Sequence, residues 1–217
     1  MGGRSGQAIS GDYSGITIND QSSINSPISA SDRIRYVKLA GIPKDYQGVV
    51  SMYRSGNNIN LEISSSDITM QRRFNSQEKT VYNELFKINP NGKYKGKGID
   101  ILKNAVDNLI KDKEYKKMRV TAAGYEGSIY NGYYTWLRSG YEGIGNYYKP
   151  VNVINSYLRA NNINISVKSN YEINQRPELL KLWKKIGGSW EGEFTLDKNS
   201  DSYKSLTYYL KNRSKKS

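Results

Sequence analysis

The spacing of the apolar residues changes near residue 90, and this change limits the folds that the sequence can adopt. Before it, runs of β-branched and aromatic residues are separated by turn signals such as "SGNN" and "SSSD", a pattern typical of adjacent antiparallel strands. After "NPNGKYKGKG" the apolar residues recur with the period of a helix, at Ile99, Leu102, Val106, Leu109 and Ile110. The sequence therefore predicts an α/β fold in which a strand leads through a glycine-rich loop into an amphipathic helix.

The other elements follow from the same patterns and from the turn residues between them. Before the loop, strands are predicted in "RIRYVKLAG", "GVVSMYRS", "NINLEIS", "DITMQRRF" and "TVYNELFKI". After the helix we expect a strand in "KMRVTAAG" and a helix in "SIYNGYYTWLRSG" that ends at a glycine. The last third predicts an αβαβα extension, with helices in "VNVINSYLRANN", "PELLKLWKKIGG" and "DSYKSLTYYLKN" and strands in "INISVKS" and "SWEGEFTL".

The organisation along the chain follows from composition. Residues 1–30 are rich in Gly, Ser and Asn and predict a flexible leader. Residues 31–145 are expected to form the core, and residues 146–217 a C-terminal extension that packs on it and ends in a basic tail. No window approaches the roughly 18 apolar residues of a spanning helix, and the N-terminal residues lack the apolar centre of a signal peptide. The expectation is a cytoplasmic protein without a membrane partner.

The chain contains no cysteine and no histidine, which removes thiolate nucleophiles, histidine-based triads and most zinc or copper sites. No metal site is predicted. Acid–base chemistry must therefore come from carboxylates, tyrosines, lysines, water or the backbone. The net charge of +13 favours an anionic partner and leaves nucleic acid, an acidic protein, a membrane surface and a phosphate-bearing cofactor open.

The loop "NPNGKYKGKG" has two interpretations, a phosphate cradle and a plain basic turn. Backbone N–H groups at a helix N-terminus have no intrahelical acceptors and lie at the positive end of the helix dipole, so a glycine-rich turn before a helix can hold a phosphate. The Rossmann spacing G-x-G-x-x-G and the Walker spacing G-x-x-x-x-G-K-[ST] are both absent here. A different phosphate-binding motif is therefore required if the loop is a cradle.

The segment "LFKINPNGKYKGKGIDILKNAV" resembles the acetyl-CoA loop of the GNAT superfamily of N-acetyltransferases, which carries [Arg/Gln]-x-x-Gly-x-[Gly/Ala] between a central strand and a long helix. One register places Lys95, Gly96, Lys97, Gly98 and Ile99 on this motif and puts an aspartate, residue 100, where glycine or alanine is usual. A shifted register uses Lys93, Gly96 and Gly98, and makes that aspartate an ordinary acidic residue of the first helical turn. Both registers remain open.

A second segment, "MRVTAAGYEGSIYNGYYTWLRSGYEG", is similar to the strand and helix that follow in the same superfamily. Its amino-acid sequence most resembles phage and bacterial GNAT-like sequences in which "AAG" precedes "NGYYTW" and a closing "GY" or "GF". The resemblance covers about residues 45–145. It implies a GNAT-like α/β (α+β) fold, with a mixed, mostly antiparallel central sheet flanked by helices.

The resemblance also implies roles for individual residues. In the family a tyrosine usually acts as the general acid, and its position is occupied here by Trp136. Tyr133 and Tyr134 are therefore the candidate proton donors. Rings at this spacing equally suit a hydrophobic core. Glu84 is the best-placed general base, because alternation from inward-pointing Phe86 and Ile88 sends it to the same face. Two further glutamates, Glu62 and Glu126, are weaker candidates. The backbone near Ile88 would polarise the acetyl carbonyl.

Two functions are predicted on this basis. The first is a GNAT-like N-acetyltransferase that moves an acetyl group from acetyl-CoA to an amine of a protein or small molecule. The resemblance to phage sequences leaves a phage-encoded, host-modifying role open. The alternative is a catalytically inactive GNAT-fold protein, a binding or virion-associated module that engages nucleic acid or a host protein through its basic surface. Acetyl-CoA binding distinguishes the two functions.

Overall fold

Residues 7–8, 13–23, 26–145 and 148–213 are described by a computed structural model of the chain. The chain divides into two compact units, Met1–Lys116 and Lys117–Ser217. The division therefore lies at residue 116, whereas the sequence predicts a core that continues to residue 145. In the described part of the chain, none of the helices has the length and apolar composition needed to cross a membrane.

In its described residues the first unit has six strands, which lie in the order β1-β2-β3-β4-β5-β6. The pair β2 and β3 is parallel and the other pairs are antiparallel. The strands are β1 (Gln7–Ala8), β2 (Ile16–Asp20), β3 (Gly48–Ser55), β4 (Asn58–Ser64), β5 (Ile68–Asn75) and β6 (Thr80–Ile88). The helices of this part of the chain, among the residues that the structure describes, are α1 (Ala30–Leu39) and α2 (Gly98–Asp112).

The core of the first unit lies between the helices and the alternating buried residues of the strands. The ring of Phe74 on β5 lies 5.0 Å from the ring of Tyr36 on α1 and 5.7 Å from that of Tyr115, measured between ring centroids. Gly41, just after α1, has a φ of +68°, and an added Cβ there would lie 2.5 Å from the carbonyl oxygen of Ile101 on α2. Only glycine fits this close approach of the two helices.

The second unit combines a small sheet with five helices in its described residues. The strands β7 (Lys117–Ala122) and β8 (Glu142–Gly143) both pair antiparallel with β9 (Trp190–Thr195). The helices are α3 (Gly132–Arg138), α4 (Pro150–Ala160), α5 (Asn170–Gln175), α6 (Pro177–Ile186) and α7 (Asp201–Arg213). The indoles of Trp183 and Trp190 both donate to the backbone carbonyl of Tyr133, at 3.0 and 2.8 Å, and these three residues are buried.

The predicted α/β class with a mostly antiparallel sheet is confirmed. The strands β3 to β6, the helix α2 and the strand β7 follow one another along the chain in the order expected for a GNAT-like fold. The helices predicted in the segments that became α2, α3, α4, α6 and α7 are also confirmed.

Three local predictions are wrong. The flexible leader predicted for residues 1–30 contains β2, whose Ile16 and Ile18 are buried in the core; residues 1–6, 9–12 and 24–25 lie outside the described residues. The segment "RIRYVKLAG" belongs to the helix α1, not to a strand. The segment "INISVKS" contains no strand, because the side chain of Asn155 bonds both the amide and the carbonyl of Val167, at 2.9 and 2.8 Å. The extension is therefore αααβα.

Candidate functional site

The loop between β6 and α2 folds around Asp67, which sequence reasoning did not select. The carboxylate of Asp67 accepts the amide of Lys93 at 2.8 Å, and its carbonyl accepts the amide of Asn89 at 2.9 Å. Tight turns continue the loop, since the amides of Gly92, Lys95 and Lys97 each donate to the residue three positions earlier. The "SSSD" turn before β5 is the sequence signal for this arrangement.

The helix α2 begins without a side-chain cap. Lys97, which precedes it, makes no capping bond, and the amides of Asp100 and Ile101 both donate to the carbonyl of Lys97 at 3.0 Å. Within the described ranges, the amides of Gly98 and Ile99 donate to no acceptor. Two donors at the positive end of a 15-residue helix therefore remain available to an anion.

Two glycines shape the approach to these donors. Gly96 has a φ of +73°, and an added Cβ there would meet nothing within 4 Å, so space opens beside it. Gly98 lies over the end of β6, where its added Cβ would be 3.4 Å from Ile88 and 3.7 Å from Phe86. The structure thus brings three predicted cofactor-binding residues together: Ile88 at the strand end, Gly98 at the helix start, and Ile99 beside it.

The three loop lysines are not equivalent. Lys93 forms an ion pair with Asp45 at 3.0 Å and donates to the carbonyl of Asp45 at 2.8 Å. The hydrogen bond between Nζ of Lys93 and the carboxylate of Asp45 raises the pKa of Lys93 and lowers the pKa of Asp45. Lys95 and Lys97 are exposed and form no ion pair with any described residue. Their charge is therefore available to a phosphate, whereas the charge of Lys93 is compensated.

Asp100 is the third residue of α2 and is half-buried. A carboxylate in the first turn is favourable to the helix dipole. The same negative charge lies two residues after Gly98, so it also repels an anionic ligand at this helix end.

A bulge in β6 overturns the prediction made for Glu84. Leu85 pairs with Gln71 and Asn83 pairs with Arg72, so Glu84 is an extra residue without a counterpart on β5. An extra residue of this kind reverses the alternation of side chains along a strand. The parity argument from Phe86 and Ile88 therefore does not extend past Leu85.

Glu84 is consequently exposed and paired. Its side chain is 45% exposed, and its carboxylate accepts a hydrogen bond from Nε of Arg73 at 2.7 Å. The guanidinium of Arg73 also lies 4.0 Å from the centre of the Tyr82 ring. Glu84 thus has an ionised partner and access to solvent, and it lacks the buried environment that was predicted.

The predicted proton donors lie on α3, in the second unit. Tyr133 is 3% exposed and its hydroxyl donates to the carbonyl of Lys184 at 2.7 Å. Burial, with a smaller contribution from Glu126, raises the pKa of Tyr133. Tyr134 is half-buried, and its hydroxyl has no hydrogen-bond partner among the described residues. Trp136 is half-buried and packs edge-on against the buried Tyr141, with 5.1 Å between the ring centroids.

A cavity of about 270 Å³ adjoins the loop in the first unit. It lies where β4 turns into β5, and its lining includes Ser65, Thr69, Lys87 and Asn89. Ligand pockets for larger molecules usually span about 300–1,000 Å³. The cavity is therefore too small for a whole nucleotide cofactor, and the uncapped helix end is the stronger candidate site.

The second unit contains a half-buried acid, Glu142, for which no sequence motif provides a signal. The carboxylate of Glu142 accepts the amides of Asn170 and Tyr171, the first two residues of α5, at 2.9 and 3.2 Å. Burial raises the pKa of Glu142 to about 7, against the opposing effect of these two hydrogen bonds. Asp201 raises it further through its negative charge. Glu142 therefore exchanges its proton near neutral pH.

Comparison with known proteins adds no family to this picture. No protein-family model matches the chain, and the search of curated proteins finds no match. In the described ranges, no group of three or more carboxylates could hold a metal ion. The function proposed below is therefore argued from the loop and its residues.

Proposed function

We propose that this protein is a GNAT-like N-acetyltransferase that transfers an acetyl group from acetyl-CoA to an amine. The observation that carries the proposal is the uncapped N-terminus of α2, where two amides without acceptors lie beside two exposed lysines of uncompensated charge. A pyrophosphate matches this set because it combines two negative charges with several acceptor oxygens.

The residues at the helix end fit the diphosphate part of the cofactor. The amides of Gly98 and Ile99 would donate to its oxygens, and the side chains of Lys95 and Lys97 would compensate its charge. The open space beside Gly96 allows a phosphate to approach the backbone without meeting a Cβ. Acetyl-CoA, when bound, supplies an activated acetyl thioester.

Acetyl transfer to an amine requires few catalytic groups from the protein. The transfer would form a bond from the amine nitrogen to the acetyl carbon and break the carbon–sulfur bond, and the released thiolate would take a proton from solvent. The backbone of β6 near Ile88 would donate to the carbonyl oxygen and stabilise the charge that develops there. Glu84, which is exposed and paired with Arg73, would accept the proton that the ammonium loses.

Calorimetric titration with acetyl-CoA tests the proposal. We expect saturable binding of one molecule per chain, and competition by desulfo-CoA, which keeps the diphosphate but lacks the thioester. Acetylation of a mixed amine panel, followed by release of free thiol, should accompany binding. Absence of detectable binding at millimolar acetyl-CoA would refute the proposal.

Asp100 distinguishes the two registers of the loop. In the first register its carboxylate lies next to the diphosphate, so Asp100→Asn should strengthen acetyl-CoA binding about threefold to tenfold by removing a like charge. In the second register the same change should alter binding less than twofold. Titration of both proteins at low and high salt measures the difference, and an effect that disappears with salt is electrostatic.

A second candidate function is binding of acetyl-CoA, or of another diphosphate, without acetyl transfer. It is favoured by the hydroxyl of Tyr133, which is bound to the carbonyl of Lys184, and by the exposed position of Glu84. Binding with no thiol release from any amine in the panel would support this function over the enzyme.

A further inference from the structure

The second unit carries a group of cations that is separate from the loop described above. We name the α3–α6 basic surface as Arg138 on α3 with Lys181, Lys184 and Lys185 on α6. The three lysines are exposed and occupy positions three and four residues apart, so they share one face of α6. The ion pairs found in the described part of this unit involve other residues.

Aromatic rings hold two of these cations in place. The guanidinium carbon of Arg138 lies 4.0 Å from the ring centre of Tyr209 and 5.4 Å from that of Tyr134. Nζ of Lys184 lies 5.9 Å from the ring centre of Tyr134. Cations held over rings keep their charge and lose part of their mobility. The surface is thus an ordered arrangement in which cations alternate with half-buried tyrosines.

The composition of this surface distinguishes between anionic partners. Binding to a lipid surface requires exposed apolar side chains beside the charges. The exposed residues of α6 are Pro177, Glu178 and the three lysines, and the exposed apolar side chains of Ile129 and Tyr130 lie on the loop before α3 and not on α6. Alternation of cations with aromatic rings is instead typical of surfaces that bind single-stranded nucleic acid, where phosphates pair with the cations and bases stack on the rings. The negative charge of Glu126 raises the pKa of Tyr133. Glu126 itself lies on an exposed loop.

We propose that the α3–α6 basic surface binds single-stranded nucleic acid. The three lysines and Arg138 contact the phosphates, and Tyr134 supplies an aromatic face beside them. Contacts of this kind are tolerant of sequence and depend strongly on salt. The proposal does not depend on acetyl-CoA binding, because it uses none of the loop residues.

Fluorescence anisotropy with a labelled twenty-nucleotide oligothymidine tests the proposal on the full chain. The double variant Lys184→Gln/Lys185→Gln should bind about tenfold or more weakly at 100 mM salt. It should also reduce the slope of log affinity against log salt by about 1.4, since about 0.7 counterions are released per neutralised phosphate of a single strand. The matched control Lys168→Gln/Lys198→Gln removes the same charge from exposed positions of the same unit and should leave affinity within twofold.

The aromatic contribution is tested at Tyr134. Tyr134→Phe keeps the ring and should bind like the parent, whereas Tyr134→Leu should bind about threefold to tenfold more weakly. Equal losses in the two lysine pairs would overturn the proposal, because they would show a response to net charge alone. So would lysine variants that lose binding to phosphatidylserine vesicles while keeping full affinity for the oligonucleotide. Acetyl-CoA binding should be unchanged in Lys184→Gln/Lys185→Gln, so failure here is separable from failure of the enzyme proposal.

Discussion

Replacing Lys95 and Lys97 together by glutamine is expected to weaken acetyl-CoA binding about a hundredfold. Both side chains are exposed and lack a described carboxylate partner, so their charge is available to a ligand. A hydrogen bond between a charged donor and a phosphate is typically worth about 1.5 kcal/mol or more. Loss of about 1.4 kcal/mol at each lysine corresponds to tenfold in affinity, and the two losses add if the contacts are independent.

A matched variant separates local contacts from net charge. Lys111→Gln/Lys116→Gln removes two exposed lysines from the same unit, at and beyond the opposite end of α2. That helix is about 20 Å long by its rise per residue, and charges at this distance are largely screened at physiological salt. The control should therefore bind acetyl-CoA within twofold of the parent. If calorimetry shows the same affinity for both variants, the loop does not hold the diphosphate.

Substitution of the third lysine of the loop, Lys93, is expected to have little effect on acetyl-CoA binding. Lys93 is paired with Asp45, so Lys93→Gln removes a charge that is already compensated. Exposed ion pairs contribute little to stability, and little loss of ligand affinity is expected from this change. The sequence alone could not make this distinction, because Asp45 lies far from the loop along the chain and meets it only in the folded unit.

The elements that local patterns specify were predicted, and those that depend on other segments were not. Alternation and turn residues identified the strands β3 to β6, and the helical period identified α2. The helix α1 was misread because apolar residues at alternate positions resemble a strand. A better signal was present: Ser29 accepts the amide of Asp32 at 3.1 Å, a capping arrangement that marks a helix start.

The candidate site shows the same division. The glycines and lysines of the loop, and the helix that follows, could be read from the sequence because helix ends and glycine turns are local features. The position of Glu84 could not, because a bulge is a property of two paired strands and not of one. The loop also depends on Asp67, whose carboxylate holds the amide of Lys93 from a different turn. A single sequence gives no measure of such pairings.

The stability of the protein is expected to fall by about 3 kcal/mol as the pH rises from about 4.5 to 7, through the titration of Glu142. Burial raises the pKa of this group to about 7 in the folded chain, whereas its ordinary value is 4.5. Between these values the folded chain holds a proton that the unfolded chain has released, so the free energy of unfolding decreases with rising pH. The difference between the folded and unfolded pKa values of Glu142 corresponds to a loss of about 3 kcal/mol in the free energy of unfolding by pH 7.

The variant Glu142→Gln isolates this contribution. Glutamine is neutral at every pH and keeps one acceptor oxygen for the amides of Asn170 and Tyr171, so its unfolding free energy should lack this dependence. The chain contains no histidine, which leaves few other groups to titrate in this window. Urea unfolding of both proteins at intervals between pH 4.5 and 8 should show the variant gaining on the parent as pH rises. Parallel curves would mean that Glu142 ionises as an ordinary exposed acid, and that α5 is held at its first turn by a carboxylate at all of these pH values.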